Sequence, residues 1–397
     1  MALNTYAITA AWIGLALLAS LLSIRVGVSV ALVEIVVGAV AGNLPYGHDL
    51  VQQTAFTSFL AGAGSILLTF LAGAEIDPVS LRRHLRASLV IGALSFALPF
   101  AGAFAFALWL LHWTLGAAEI AGTALSTTSV AVVYAVLVET GLNRQDIGKL
   151  ILAACFVTDL GTVLALGALF AGYGPLLAIF VGACVLVIPL LPWATRRVIA
   201  WFGHRVSEPE IKFLLFVLFG LGGLANAAGS EAVLPAYVAG LVVAGVFLSD
   251  RVLIDRMRSI AFALLTPFFF LRAGLSISGA ALVSGAGVIA LLFGVKMATK
   301  FVGVWPSAAL FGVSGRERNY TTLLMATGLT FGSISALFGL NHHLVDQAQY
   351  SILVTVVILS AFVPTLVAQR LFQPQGVDVE EEEALGAEDV AIIHRRR

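Results

Sequence analysis

Charge is what this sequence has least of. Of its 397 residues only 22 are Lys or Arg and 22 are Asp or Glu, 11% in all. A soluble domain carries about 25%. So few charges cannot cover a water-facing surface, and the surrounding medium must be mostly lipid. The charges balance to a formal net +0, which removes the basic-surface argument for a nucleic-acid partner. Cysteine is nearly absent as well. Cys155 and Cys184 both lie inside apolar runs and read as small packing residues, with no disulfide or metal site implied. Met1 to Thr5 contains no Lys or Arg. It lacks the basic start of a signal peptide, and the first apolar run is expected to stay as a helix. No stretch has the composition of a soluble domain, which excludes a soluble enzyme. The one glycine cluster to consider for dinucleotide binding, Gly220-Leu-Gly-Gly, sits in an apolar run with no preceding strand. Helix packing accounts for it better than a cofactor does.

What is present is apolar: 60% of residues are hydrophobic and the mean hydropathy is +1.01. A span needs ~20 apolar residues. The windows predict an all-α polytopic membrane protein of about thirteen helices: Tyr6–Ile24, Val26–Asn43, Ala55–Glu75, Ala87–Leu111, Ala117–Glu139, Gly148–Ala171, Pro175–Thr195, Glu210–Ala228, Glu231–Leu248, Ser259–Leu275, Ala281–Trp305, Tyr320–Phe338 and Gln349–Arg370. The basic residues test the count. Arg25, Arg82 with Arg83 and Arg86, Arg144 with Lys149, Arg196 with Arg197, Arg251 with Arg256, Arg316 with Arg318, and Arg395 to Arg397 all follow odd-numbered spans. Every loop after an even-numbered span lacks Lys and Arg. The positive-inside rule then places the N-terminus outside and the C-terminus in the cytoplasm, and a bacterial inner membrane is the expected setting. The tail 373–397, with Glu380 to Glu383 and a basic end, reads as disordered.

A few charges fall inside or at the edge of spans: Glu34, Glu75, Asp159, Glu231, Arg272, Lys296 and Lys300. Each costs at least ~2.5–3.5 kcal/mol at membrane depth, so each is a functional candidate. Asp159 stands about eleven residues into its helix, ~16 Å along it and near the midplane of a ~30 Å core. One carboxylate there can take either a proton or a hard cation, and Thr158 beside it supplies oxygen ligands. The alternative is a structural carboxylate paired with a Lys. Ser126, Thr127, Thr128 and Ser129 form a poor helix in the preceding span, suited to unwound backbone lining a cavity. The twelfth span has a similar patch, Thr327-Gly-Leu-Thr-Phe-Gly-Ser, where Gly328, Thr330, Gly332 and Ser333 are candidate breakers. Two interrupted helices in corresponding places point to an inverted repeat with an ion site between the breaks. Lys296 and Lys300 share a helical face. They either serve the site, by pairing with Asp159, releasing a proton or supporting the breaks, or snorkel toward the cytoplasm. Arg272 is expected to pair with Glu231 or to reach an outer lipid headgroup. Gly38 and Gly42 form a small-xxx-small pattern suited either to a dimer seam or to packing inside one protomer.

Several stretches, in order, resemble the monovalent cation/proton antiporter-2 family: Arg25-Val-Gly-Val-Ser through Gly42, Leu67-Leu-Thr-Phe-Leu-Ala-Gly-Ala-Glu-Ile-Asp, Thr128-Ser-Val-Ala-Val-Val, Thr158-Asp159 and Lys300-Phe-Val-Gly. The resemblance runs to Gln373. It implies a Na⁺/H⁺ antiporter fold in 1–372, made of two inverted repeats with crossed broken helices. It assigns a dimerisation part (1–86 and 205–278), a core (87–171 and 279–372) and a linker helix (172–204). It further implies a homodimer, elevator-type transport of Na⁺ or K⁺ against H⁺, an ion-binding role for Asp159 and a core-lysine role for Lys300, with no cofactor. Two departures stand out. Thr158-Asp159 replaces the Asp-Asp of electrogenic members, which favours one-for-one exchange, and no nucleotide-binding domain follows the spans. A sodium-coupled symporter of a small organic anion and a passive channel are the competing readings. The first needs an anion-binding cluster, for which Arg272 is the only candidate.

Overall fold

A computed structural model describes residues 5–26, 29–44, 51–74, 83–140, 142–170, 175–203, 205–228 and 232–374. These fold into helices joined by short connections: α1 Thr5–Val26, α2 Val30–Asn43, α3 Ala55–Ala74, α4 Leu85–Leu110, α5 Leu115–Ser126, α6 Val130–Glu139, α7 Asp146–Phe170, α8 Pro175–Phe202, α9 Pro209–Ala227, α10 Val233–Ser249, α11 Val252–Leu275, α12 Gly279–Ser284, α13 Ala286–Leu310, α14 Gly315–Met325, α15 Thr330–Asn341 and α16 Gln347–Phe372. Among the described residues, ten helical stretches are long and apolar enough to cross a membrane, with α14 and α15 forming one of them. The apolar helices α2 and α10 are shorter, and the expected fifth span is split into α5 and α6.

The helices pack as two bundles. In one, α3 lies along α10, α11 packs on α2 and α3, and α1 covers α2. In the other, α4 packs on α5, α7 and α13, while α15 crosses α5 and α16. Helix α8 lies against α9 and α10. The bundles meet where α10 touches α7. Lipid tails give no hydrophobic drive between helices, so close backbone approach carries the packing. Gly73 of α3 faces the Tyr237 carbonyl of α10, and Gly240 of α10 faces the Phe70 carbonyl of α3. Any larger residue at either position would drive the two helices apart.

The same device settles the use of Gly38 and Gly42. A Cβ at Gly42 would stand 2.8 Å from the Leu275 carbonyl oxygen, and one at Gly38 would strike the Leu271 carbonyl. Both glycines are therefore spent on the α2–α11 contact inside the protomer, so a dimer seam cannot use them. The termini of several spans differ from expectation by a turn or less. The largest differences are at α8 and α11. Helix α8 continues through Arg196 and Arg197 to Phe202, and α11 begins ahead of Ser259, because the charged stretches there sit beyond the apolar core without breaking the helix. The acidic tail, Glu75 and Glu231 lie outside the described residues.

Candidate functional site

The first break falls at Thr127–Ser129, between α5 and α6. Its cause is local. The Ser126 hydroxyl donates to the Thr123 carbonyl at 2.9 Å and the Thr127 hydroxyl to the Ala124 carbonyl at 3.0 Å. Those carbonyls would otherwise take bonds from the next helical turn, so the side chains end the helix by replacing it. Thr127 then turns extended, at φ −62° and ψ 153°. Ser129 accepts from the Val132 amide at 3.4 Å and so opens α6.

The second break, Thr327–Leu329, repeats the device: the Thr327 hydroxyl donates to the Leu324 carbonyl at 2.7 Å. Of the expected breakers, Gly328 lies in the gap, Thr330 opens α15, and Gly332 and Ser333 are helical. Gly332 is needed for the crossing, because a Cβ there would lie 3.0 Å from the Ala124 carbonyl and 3.1 Å from Thr127 Oγ1. The two breaks are joined directly. The Ser129 amide donates to the Thr327 carbonyl at 3.1 Å, and the Thr128 hydroxyl to the Met325 carbonyl at 2.8 Å.

Each lysine of α13 serves one break. Lys300 Nζ donates to the Ser126 carbonyl at 2.8 Å, to Thr128 Oγ1 at 2.9 Å and to Ser95 Oγ of α4 at 2.9 Å. A cation at the carboxyl end of α5 also complements the helix dipole. Ser126 O can only accept, and the Thr128 hydroxyl hydrogen is committed to Met325. Ser95 is the one partner whose hydrogen is free to turn either way. Lys296 Nζ donates to Ser360 Oγ of α16 at 2.8 Å and lies against Gly328 in the second break. Both side chains are 0% exposed. Snorkelling is thereby overturned: the acceptors they need are inside the bundle, so nothing draws the amines out to the interface.

Asp159, on α7, is 1% exposed, and its Oδ1 has no hydrogen-bond partner among the described residues. Lys300 points its donors at the break and makes no ion pair with it there. The structural alternative of a paired carboxylate is therefore not what the geometry supports. An acidic oxygen held in an apolar bundle without a hydrogen-bonded cation suits a site whose counter-charge comes and goes. Thr158 is turned toward α4. Its hydroxyl donates to the carbonyls of Ala154 at 3.1 Å and Gly92 at 3.3 Å, and its own carbonyl accepts from Thr162 at 3.1 Å. Successive helical residues point about 100° apart, which is why the adjacent pair faces different neighbours. Cys155, one turn before Asp159, packs its sulfur 3.6 Å from that of Met325.

The remaining intramembrane charges stand apart from this centre. Glu34 is buried in α2. Arg272 of α11 donates to Asn341 Oδ1 at 3.3 Å and lines a cavity of about 600 Å³ with Ser58, Phe59, Phe219, Asn226 and Asn341. Its expected partner Glu231 lies outside the described residues. Reading the sequence passed over Ser95, Ser360 and Tyr237. The two serines are single small polar residues in apolar spans, a signal too common to single them out.

Comparison with known proteins places the chain. Residues 13–373 match the family described as "Sodium/hydrogen exchanger, transmembrane". The chain is 23% identical over 342 residues to the probable Na(+)/H(+) antiporter 3 of Methanocaldococcus jannaschii, which covers 83% of this chain and 87% of that one. It is 28% identical over 338 residues to the glutathione-regulated potassium-efflux system protein KefC of Salmonella arizonae, covering 81% and 53%. It is 25% identical over 374 residues to the K(+)/H(+) antiporter 1 of Saccharomyces cerevisiae, covering 85% and 43%. The chain thus spans most of the archaeal relative and about half or less of the other two. The solved sodium proton antiporter MjNhaP1 of M. jannaschii at pH 8 superimposes with a TM-score of 0.65 at 17% identity, over 91% of this chain and 98% of that one. At that identity the likeness speaks for the fold.

Proposed function

The chain belongs to the sodium/hydrogen exchanger family, and from that premise we propose that it is a secondary active antiporter trading Na⁺ or K⁺ for protons at Asp159. The observation that carries this reading is the buried Asp159 carboxylate, whose Oδ1 has no hydrogen-bond partner among the described residues, in the bundle that holds the crossing of two broken helices. A proton or a monovalent cation neutralises it, and the two exclude each other. The electronegative carbonyl ends of α5 and α14 are occupied by Lys300 and by threonine hydroxyls. The breaks are thus held without the transported ion, which is free to bind and leave.

In this reading the bundle of α4 to α7 and α12 to α16 is the moving core. The bundle of α1 to α3 and α9 to α11 is the scaffold and dimerisation part, with α8 as linker. Thirteen passes, an outside N-terminus and a cytoplasmic C-terminus in a bacterial inner membrane complete it. The order of motifs supports the monovalent cation/proton antiporter-2 branch, and Asp159 as the single site carboxylate supports one-for-one exchange. The homodimer rests on the family, since Gly38 and Gly42 are used inside the protomer; a monomer mass by light scattering in nanodiscs would remove it.

The test is Asp159→Asn in proteoliposomes loaded with a pH-sensitive dye. The amide keeps the shape and cannot trade a proton for a cation, so cation-induced dequenching should vanish while the protein still folds. Exchange surviving in that variant would defeat the proposal. A symporter of organic anions would instead show uptake that depends on Arg272, and a channel would dissipate gradients without building a pH difference.

A further inference from the structure

One fully buried side chain reaches from the first bundle into the second. Tyr237 of α10 is 0% exposed. Its backbone is fixed to α3, where its carbonyl lies against Gly73. Its ring and hydroxyl belong to the other bundle. The ring stacks on Phe156 of α7, with centroids 5.7 Å apart and planes at 20°. It meets Phe331 of α15 edge-on at 5.6 Å and 90°. The hydroxyl donates to the Phe156 carbonyl at 3.2 Å.

Both contacts fall at the centre described above. Phe156 stands three residues before Asp159, most of one helical turn. Phe331 is the second residue of α15, directly after the second break. A tyrosine buried among apolar side chains needs a hydrogen-bond partner. Here the partner is the backbone of the helix that carries the carboxylate.

We propose that Tyr237 is a positioning residue of the exchanger: a latch from the scaffold bundle that holds α7 in register through the Phe156 carbonyl and seals the seam beside Asp159 with its ring. This rests on the proposed exchange at Asp159 and on the sliding of the two bundles. Any slide of α7 along α10 by more than a few tenths of an ångström breaks the hydroxyl–carbonyl bond, because such bonds weaken steeply outside their narrow geometry. The latch is therefore undone once per transit, and the hydroxyl sets part of the barrier. The ring has a separate task. It fills the volume between Phe156 and Phe331, so water has no path along the seam past the carboxylate.

Two substitutions separate the tasks. Tyr237→Phe keeps the ring and removes the bond. It leaves no orphan on α7, because the Phe156 carbonyl stays within the helical ladder. A neutral hydrogen bond of ordinary net strength corresponds to a roughly two- to ten-fold change in rate. Turnover in proteoliposomes should rise by that factor while the apparent KM for the cation stays put, since the cation's own ligands are untouched. Tyr237→Ala should let a preset pH difference decay in the absence of any transported cation, and Phe at the same position should not. A residue that merely packs would leave the Tyr237→Phe turnover at the wild-type value. That result, a lower turnover, or a tight membrane in Tyr237→Ala would each overturn the proposal. An inactive wild-type protein, or a Tyr237→Phe/Asp159→Asn double variant that still exchanges, would instead count against the Asp159 reading.

Discussion

An imposed membrane potential distinguishes one-for-one exchange from any electrogenic cycle. The expected number comes from a count of charges at the site. Asp159 is the carboxylate of the second bundle that lies without a hydrogen-bond partner on Oδ1. Its neighbour Thr158 carries no charge and turns its hydroxyl to the Ala154 and Gly92 carbonyls. If Lys300 keeps its proton while Asp159 trades H⁺ for the cation, the core carries the same charge both ways. The potential then does no work on the cycle. A cycle moving one net charge would instead gain about 2.3 kcal/mol per 100 mV, equivalent to about a 50-fold difference in the ion gradient it can sustain. The point where this reasoning is most exposed is Ser95, because its hydroxyl can accept from an ammonium or donate to an amine. Transport is measured in proteoliposomes with the potential set by an ionophore for an ion that is not transported. The expected outcome is one steady-state cation gradient at 0 and at about 100 mV. A gradient that grows with voltage toward the 50-fold figure would refute the count and assign a second proton to Lys300.

Other outcomes follow from the same geometry. Protons and the cation should compete at one carboxylate: raising the proton concentration on the cation-loading side should raise the apparent KM for the cation and leave the rate at saturating cation unchanged, and a falling saturated rate would point to a second titrating group. Gly328→Ala would press a Cβ onto Lys296 Nζ and bring it to 2.9 Å from Thr127 Oγ1 and 3.2 Å from Ser360 Oγ. Overpacking of this kind costs about 1–3 kcal/mol, so thermal unfolding in detergent should shift downward and exchange should slow; an unchanged unfolding temperature would mean that the crossing yields more easily than its contacts suggest.

The membrane class, the approximate spans and the candidate carboxylate were legible in the residues themselves. An apolar run and an isolated Asp159 carry their cost wherever the chain goes, so composition and depth are enough to find them. The first break was legible for a related reason: Ser126 and Thr127 end the helix with their own hydroxyls, a local reaction between side chain and backbone. The second break falls at the start of the expected patch, at Thr327 to Leu329, and the patch ran a few residues past it. Gly332 and Ser333 look like breakers in isolation, yet Gly332 is there to let α15 approach α5 closely. Which neighbour a residue meets depends on how helices far apart in sequence are brought together, and pattern does not report it.

That distinction runs through the rest of the site. The spacing of Lys296 and Lys300 puts them on one face; only packing sends one to each break and gives Ser95 and Ser360 their parts. The same holds for Gly38 and Gly42, whose pattern suits any close contact until α11 is seen to occupy it. Tyr237 carries no signal in its own span, because its meaning lies in Phe156 and Phe331, each on a different helix of the other bundle. The sequence by itself determined where the chain must meet lipid and where a charge is costly, since those are properties of single segments in a solvent. Tertiary structure alone decided which polar groups satisfy one another across helices, because each such partner is supplied by a different segment of the chain.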